Sequence, residues 1–121
     1  MTSIFVVENS KRAFYNLEEA IVYAKGLVKD KVIKEVRRCQ ESPTAIYSFG
    51  ESLSEENLRR VKMKYTVTVI DSNNKIKVRA RMNVPCQNNN SQKNYTFSKS
   101  INITVTHLDC YMAHNYEYPF E

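Results

Sequence analysis

The side chains best suited to hold a metal ion are two histidines and two cysteines in the last third of the chain. His107, Cys110 and His114 lie within eight residues of one another, and Cys86 precedes them. Structural zinc needs four converging donors, which closely spaced ligand pairs normally supply. Because this spacing matches no standard zinc module, we expect no metal site and no cofactor.

The sequence also lacks the residue patterns that are typical of nucleophilic catalysis and of phosphate-binding loops. No cysteine lies in a glycine-bearing turn or at a predicted helix start, where thiolates are activated. The chain has two glycines, Gly26 and Gly50, which excludes a glycine-rich phosphate loop. Adjacent glutamates occur at 18–19 and 55–56, where helix capping explains them. The sequence therefore predicts a protein that is not an enzyme.

Positive charge is concentrated in one segment, which points to binding. The formal net charge is +5, and residues 54–84 hold eight Lys or Arg against three Asp or Glu. The remaining residues hold ten of each sign, so they are neutral. A localised charge produces a directional field that selects anionic partners.

A predicted hairpin carries that charge, and its register follows from its alternation of apolar and polar residues. Burial of one sheet face forbids a slip of one residue. The expected apolar pairs are Val69 with Ile76, Val67 with Val78, Tyr65 with Ala80 and Met63 with Met82. The other face then pairs Lys64 with Arg81, Thr66 with Arg79 and Thr68 with Lys77.

Six cations consequently share one sheet surface, which we call the basic face. Its residues are Lys62, Lys64, Lys75, Lys77, Arg79 and Arg81. One interpretation is a binding surface for phosphates or for an acidic protein patch, with Thr66 and Thr68 as further donors. The other is a solvated outer face that is kept charged to prevent aggregation. Both interpretations remain open at this stage.

The elements before the hairpin are less uniform. Residues 4–7 predict a strand, and Asn16 with Glu19 predicts a capping box that starts a helix. Residues 32–40 fit a strand or a continuation of that helix, and we favour a strand. The Ser-Pro dipeptide at 42–43 would then turn the chain into a second strand at 45–49.

A second helix and a third meander strand complete the predicted fold. Ser52 or Ser54 caps a short helix through Val61, and residues 85–92 form a polar loop. Residues 95–108 alternate again as a strand. The fold class is α+β: a short N-terminal βαββα unit, compatible with a ferredoxin-like order, then an antiparallel β-meander, with two helices packed on one sheet face.

We expect one domain, residues 1–121, in three parts. These are a strand-helix-hairpin part at 1–50, a short helix with the meander at 51–108, and an aromatic, acidic tail at 109–121. The tail should dock on its own domain or on a partner, and its candidate contact residues are Tyr111, Tyr116, Tyr118 and Phe120. Tyr65 and Phe97 fall on apolar faces, which favours core packing over base stacking.

Cysteine usage and hydropathy predict a cytoplasmic protein. Three cysteines without a C-x-x-C pair do not form a disulfide framework, so we expect reduced thiols. No run of eighteen apolar residues is present, and the first residues turn polar too soon for a signal peptide. We therefore expect no membrane contact.

The opening of the chain resembles small accessory proteins of large tailed bacteriophages. The resemblance covers residues 4–39: a short strand, a Lys-Arg turn, the segment FYNLEEAIVYAK and a Glu-Val-Arg stretch. It implies a non-catalytic inhibitor or modulator of a host protein, acting in host takeover or counter-defence in the host cytoplasm. The alternatives are a nucleic-acid-binding accessory protein and a structural component that self-associates as a homo-oligomer.

Overall fold

An antiparallel sheet of six strands is the framework of the chain. The computed structural model describes residues 2–10, 12–41, 48–49, 54–70, 75–88 and 91–114. The elements are β1 (Ser3–Val7), β2 (Ala13–Phe14), α1 (Leu17–Glu41), β3 (Ser48–Phe49), α2 (Glu55–Arg60), β4 (Lys64–Val69), β5 (Lys75–Asn88), β6 (Ser91–His107) and α3 (Leu108–His114). The sheet runs β2-β1-β6-β5-β3, and β4 also pairs with β5. The predicted α+β class with an antiparallel meander is confirmed.

Helix α1 is longer than predicted, and the strand expected at 32–40 is wrong. Asn16 caps the helix as predicted, since its Oδ1 accepts from the backbone N–H of Glu18 at 2.7 Å. The buried stripe then continues at four-residue spacing through Ala20, Ala24, Val28, Val32 and Val36. Burial against the sheet outweighs the strand preference of the β-branched residues. The Ser-Pro dipeptide at 42–43 follows the helix end, as is common where a helix stops.

This correction also removes the ferredoxin-like order. The described elements follow one another as ββαβαβββα, and every described strand pair is antiparallel. Of the strand predicted at 45–49, residues 48 and 49 form β3, while residues 45–47 lie outside the described part. Ser54 caps α2, with its Oγ accepting from the N–H of Asn57 at 3.2 Å.

The meander strands pair in the register that the sequence predicts. Six of the seven predicted pairs, those between residues 64–69 and 76–81, are formed, and the seventh, Met63 with Met82, lies beyond the β4–β5 ladder. The ladder between β5 and β6 runs from Lys75–Thr104 to Asn88–Ser91. The polar loop predicted at 85–92 is therefore wrong for most of its length, because both strands continue through it as a paired ribbon.

The main core lies between α1 and one face of the sheet. Helix α1 contributes Ala24, Val28 and Val36, and β5 contributes Val78 and Ala80, all fully buried. Leu58 of α2 joins the same cluster. Two helices thus cover one sheet face, as predicted, and this face takes the odd residues of β4 and β6 and the even residues of β5.

A second, smaller cluster lies on the opposite face, which we call the outer face. Val6 pairs with Thr104, and Thr104 pairs with Lys75, so Val6 shares a face with the basic residues. On this face Ile4, Ala13 and Tyr111 pack together. Helix α3 therefore covers the β1–β2 end of the outer face and leaves the β4–β5 end uncovered by it.

Candidate anion-binding face

Strand alternation brings the predicted cations of the hairpin to the outer face. Lys64 pairs with Arg81, and on either side of β5 the residues next to Arg79 are Thr66 and Ser100. Their exposure follows their place in the sheet. Lys62, Lys64, Lys75 and Arg81 are exposed, and Lys77 and Arg79 are half-buried. The structure thus brings Lys64, Lys75, Lys77, Arg79 and Arg81 together on the β4–β5 end of the sheet, and Lys62 is exposed two residues before β4.

No acidic residue occurs in the three strands that form this surface. The sequences of β4, β5 and β6 contain Lys and Arg but neither Asp nor Glu. Across the described ranges, the ion pairs engage Arg38, Arg59, Arg60 and Lys99. None of them involves a residue of the basic face. In the part of the chain that the structure describes, the cations of the basic face therefore form no direct ion pair, and the Glu8 carboxylate lies beside β6, where it accepts from the backbone N–H of Asn102 at 3.0 Å.

The helical side of the molecule behaves differently. The Arg59 guanidinium lies 3.0 Å from a Glu55 oxygen and 2.8 Å from an Asp30 oxygen, and hydrogen bonds to these two carboxylates raise its pKa. A hydrogen bond from Arg38, together with the charge of Lys99, lowers the pKa of Glu35. Helices α1 and α2 together hold eight Lys or Arg against seven Asp or Glu, so their charges nearly balance, whereas β4, β5 and β6 hold no acid.

Short polar side chains flank the central row of cations on both sides. On β4 these are Thr66 and Thr68. On β6 the residues opposite the four cations of β5 are Ser98, Ser100, Asn102 and Thr104. Hydroxyl and amide groups beside cations are the donors that proteins use to contact phosphate oxygens.

A small pocket lies within the basic face. Its volume is about 170 Å³, and it is lined by Thr66, Thr68, Ile70, Lys77 and Arg79. Two cations and two hydroxyls therefore converge on one depression, with a single apolar side chain at its border. This arrangement can hold one phosphate or carboxylate group through charge-assisted hydrogen bonds.

The aromatic residues of the meander face the opposite way. Phe97 is buried in the main core, and Tyr65 packs against it, as the alternation predicts. The Lys25 ammonium lies 5.4 Å from the centre of the Tyr65 ring, and burial raises the pKa of the Tyr65 phenol. On the described outer face of β4, β5 and β6 no aromatic residue occurs, so stacking of bases on this surface has no platform there.

The predicted tail contacts divide into one buried residue and three undescribed ones. Tyr111 is 7% exposed and packs against Ile4 and Ala13. It belongs to the domain's own packing, which corrects its assignment as a partner contact. Tyr116, Tyr118 and Phe120 lie outside the described residues.

Metal-binding and membrane-spanning features can be assessed for the described residues only. Within these, no three His, Cys, Asp or Glu side chains converge on a point. Cys110 is exposed on α3, and Cys39 is half-buried on α1. Among the described helices, none combines the length and the apolar character needed to cross a bilayer.

Two features of the outer face, the polar row of β6 and helix α3, are not among the sequence-based predictions, although the sequence contains a signal for each. The polar row of β6 is visible as Ser, Thr or Asn at every even position from 94 to 106. Helix α3 is visible as Leu108, Tyr111 and Met112, whose spacing places them on one helical face. From the sequence we predict only an alternating strand and an aromatic tail at these positions.

Comparison with known proteins adds no relative to this description. Neither protein-family models nor curated proteins nor solved structures yield a match to the chain. The structure defines an α+β protein with an antiparallel sheet; α1 and α2 cover one face, and the other face carries α3 at one end and the basic face at the other.

Proposed function

We propose that this chain is a non-catalytic binding protein that attaches to the phosphate backbone of nucleic acid through its basic face. The observation that carries this proposal is the absence of any acid from β4, β5 and β6 beside six cations without a described ion pair. A phosphate chain supplies the missing negative charge, and counterions released from it drive association.

The composition of the face favours phosphates over a protein partner. The centre of a protein–protein interface is usually aromatic and depleted in lysine. This surface has four lysines, two arginines and flanking hydroxyls, and no aromatic residue lies on the described outer face of β4, β5 and β6. Phosphate contacts position a protein without reading bases, so binding should depend little on sequence.

The test is fluorescence anisotropy with labelled single-stranded and duplex oligonucleotides over a range of salt concentrations. For a duplex, the logarithm of the binding constant should fall against the logarithm of salt with a slope of about −0.9 per phosphate contact. If all six cations contact phosphates, the slope should be about −5.4. Oligonucleotides of different sequence should bind with similar affinity.

A pair of matched variants locates the site. Lys77→Glu/Arg79→Glu reverses two charges of the pocket and should weaken binding by at least about tenfold at low salt, because two contacts are lost. Lys31→Glu/Lys34→Glu changes the net charge equally on α1, at the other side of the molecule, and should have a much smaller effect. Equal losses from both variants would contradict a localised site, and no binding by the wild type would reject the function.

An inhibitor or modulator of a host protein is the second candidate. The observation that favours it is Ile70, which is 43% exposed and borders the pocket beside Lys77 and Arg79. An acidic protein patch with an apolar centre would fit that combination. Affinity capture from nuclease-treated bacterial lysate tests it: a protein that binds the wild type and the Lys31→Glu/Lys34→Glu control, but not Lys77→Glu/Arg79→Glu, would support this candidate. Loss of all captured material after nuclease treatment would oppose it.

A further inference from the structure

Strand β4 presents an edge with which no described strand pairs. Its other edge is taken by β5. On the face shared with α1, Val67 is 42% and Val69 is 70% exposed. An unpaired strand edge beside exposed apolar side chains is a template for another strand. We propose that β4 pairs antiparallel with β4 of a second copy of this chain, forming a two-fold symmetric dimer with one continuous sheet.

The backbone of β4 is oriented for this pairing. The N–H of Ile70 donates to the carbonyl oxygen of Lys75 at 2.9 Å. In an antiparallel ladder this direction alternates along the strand, so the even residues of β4 bond to β5. The odd residues therefore turn their N–H and C=O groups to the edge that faces away from β5. These residues are Tyr65, Val67 and Val69.

A two-fold register centred on Val67 is self-complementary in its side chains. Residues directly opposite each other share a sheet face, so odd residues must pair with odd residues. Val67 then faces Val67 of the second copy, and Tyr65 faces Val69. On the outer face Thr66 meets Thr68, and Lys64 meets Ile70. Every apolar residue of the inner row finds an apolar partner, and no cation lies opposite another, which would be unfavourable.

The second copy also adds to the pocket of the first. Ile70 borders the pocket beside Lys77 and Arg79. Lys64 of the second copy lies opposite Ile70, which brings a third cation to that border, and the exchange is mutual by symmetry. This consequence rests on the proposed function, whereas the dimer itself does not.

The oligomeric state of the full chain, without nucleic acid, tests the dimer. Sedimentation velocity over a range of protein concentrations should give twice the mass of one chain. Val67→Lys places two lysines opposite each other across the axis, and Val69→Lys replaces the apolar partner of Tyr65 by a charge that the pairing would bury, so both should give monomers. The control is Val22→Lys, at a site that is 69% exposed on α1, and it should remain dimeric. Circular dichroism checks that each variant is folded.

Cysteine cross-linking tests the register. Across the axis the Cα atoms at position 67 should be about 5.5 Å apart, which a disulfide can bridge. The two residues at position 69 should be offset by about 13 Å, which it cannot. Under oxidation Val67→Cys should therefore give a covalent dimer joined at 67, and Val69→Cys should not join at 69. Peptide mapping distinguishes these bonds from any that the native cysteines form in the wild type.

Three outcomes would overturn the inference. They are a wild type that stays monomeric at every concentration, a dimer that survives both lysine substitutions, and cross-linking at 69 in place of 67. A monomer that still binds nucleic acid through Lys77 and Arg79 would reject the dimer and leave the proposed function intact.

Discussion

Substitution of Tyr111 can distinguish a role in core packing from a role in partner binding. Its ring is buried between α3 and the β1–β2 end of the sheet, against Ile4 and Ala13. Truncating a buried aromatic side chain removes transfer free energy and leaves a cavity. We therefore expect Tyr111→Ala to lower the free energy of unfolding by about 2–4 kcal/mol, measured by urea denaturation, and to leave the nucleic-acid affinity of the folded fraction unchanged.

The control for Tyr111 lies one residue away. Cys110 is exposed on the same helix, so Cys110→Ala should change stability by less than about 0.5 kcal/mol. If Tyr111→Ala kept full stability but lost binding, the residue would be an interface contact after all. The sequence did not separate these cases, because an aromatic cluster near a chain end has the same composition whether it packs inward or outward.

At the level of elements, the prediction of the β4–β5 hairpin is confirmed, whereas the second half of helix α1 was wrongly predicted as a strand. The β4–β5 register follows from the period of two and the separation of charge from apolar residues, which only one alignment satisfies. Residues 32–40 carry β-branched side chains that fit both periods, so their structure depends on what covers them. These residues are helical because they pack against the sheet, and the local sequence pattern gives no information about that tertiary contact.

Gly26 lowers the stability of helix α1, and no close contact in the structure requires a glycine at this position. Gly26 is exposed, and apart from its two chain neighbours and the backbone of its own helix, a Cβ added there would meet no atom within 4 Å. Glycine inside a helix is less favourable than alanine by about 0.8–1 kcal/mol. Gly26→Ala should therefore raise the free energy of unfolding by up to about 1 kcal/mol. Chemical denaturation measures this gain, and the slope against denaturant should stay constant.

A loss of stability in Gly26→Ala would contradict the continuous helix from Leu17 to Glu41. Because Gly26 lies within α1 and before residues 32–40, the full gain requires the helix to continue well beyond it. In the predicted alternative, residues after Gly26 would soon leave the helix, and alanine would bring a smaller gain.

For the whole molecule, the location of charge sets both binding and stability. The basic face was predicted from the sequence because strand alternation alone assigns its residues. The sequence does not show that the ion pairs of the described residues leave out the cations of the basic face. Which ion pairs form depends on the tertiary contacts between α1, α2 and β6. A surface without compensation should repel itself in the free protein and attract a polyanion.

This repulsion predicts that salt stabilises the free protein. Neighbouring cations along β5 lie about 6.7 Å apart, well inside the screening length of about 30 Å at 0.01 M salt and outside the length of about 3 Å at 1 M. The urea midpoint of the wild type should therefore rise between these concentrations. Lys77→Gln/Arg79→Gln should already unfold at a higher midpoint in low salt and gain less from added salt, while binding nucleic acid more weakly.

A matched variant controls for the general effects of salt on protein solvation. Lys31→Gln/Lys34→Gln lowers the net charge by the same amount but removes cations near Glu35, whose pKa is already lowered by Arg38 and Lys99. It should bring no gain at low salt and keep the full salt response. If both variants responded alike, net charge alone would govern stability. If only the face variant gained stability while losing affinity, the same cations that weaken the free fold would be those that bind the partner.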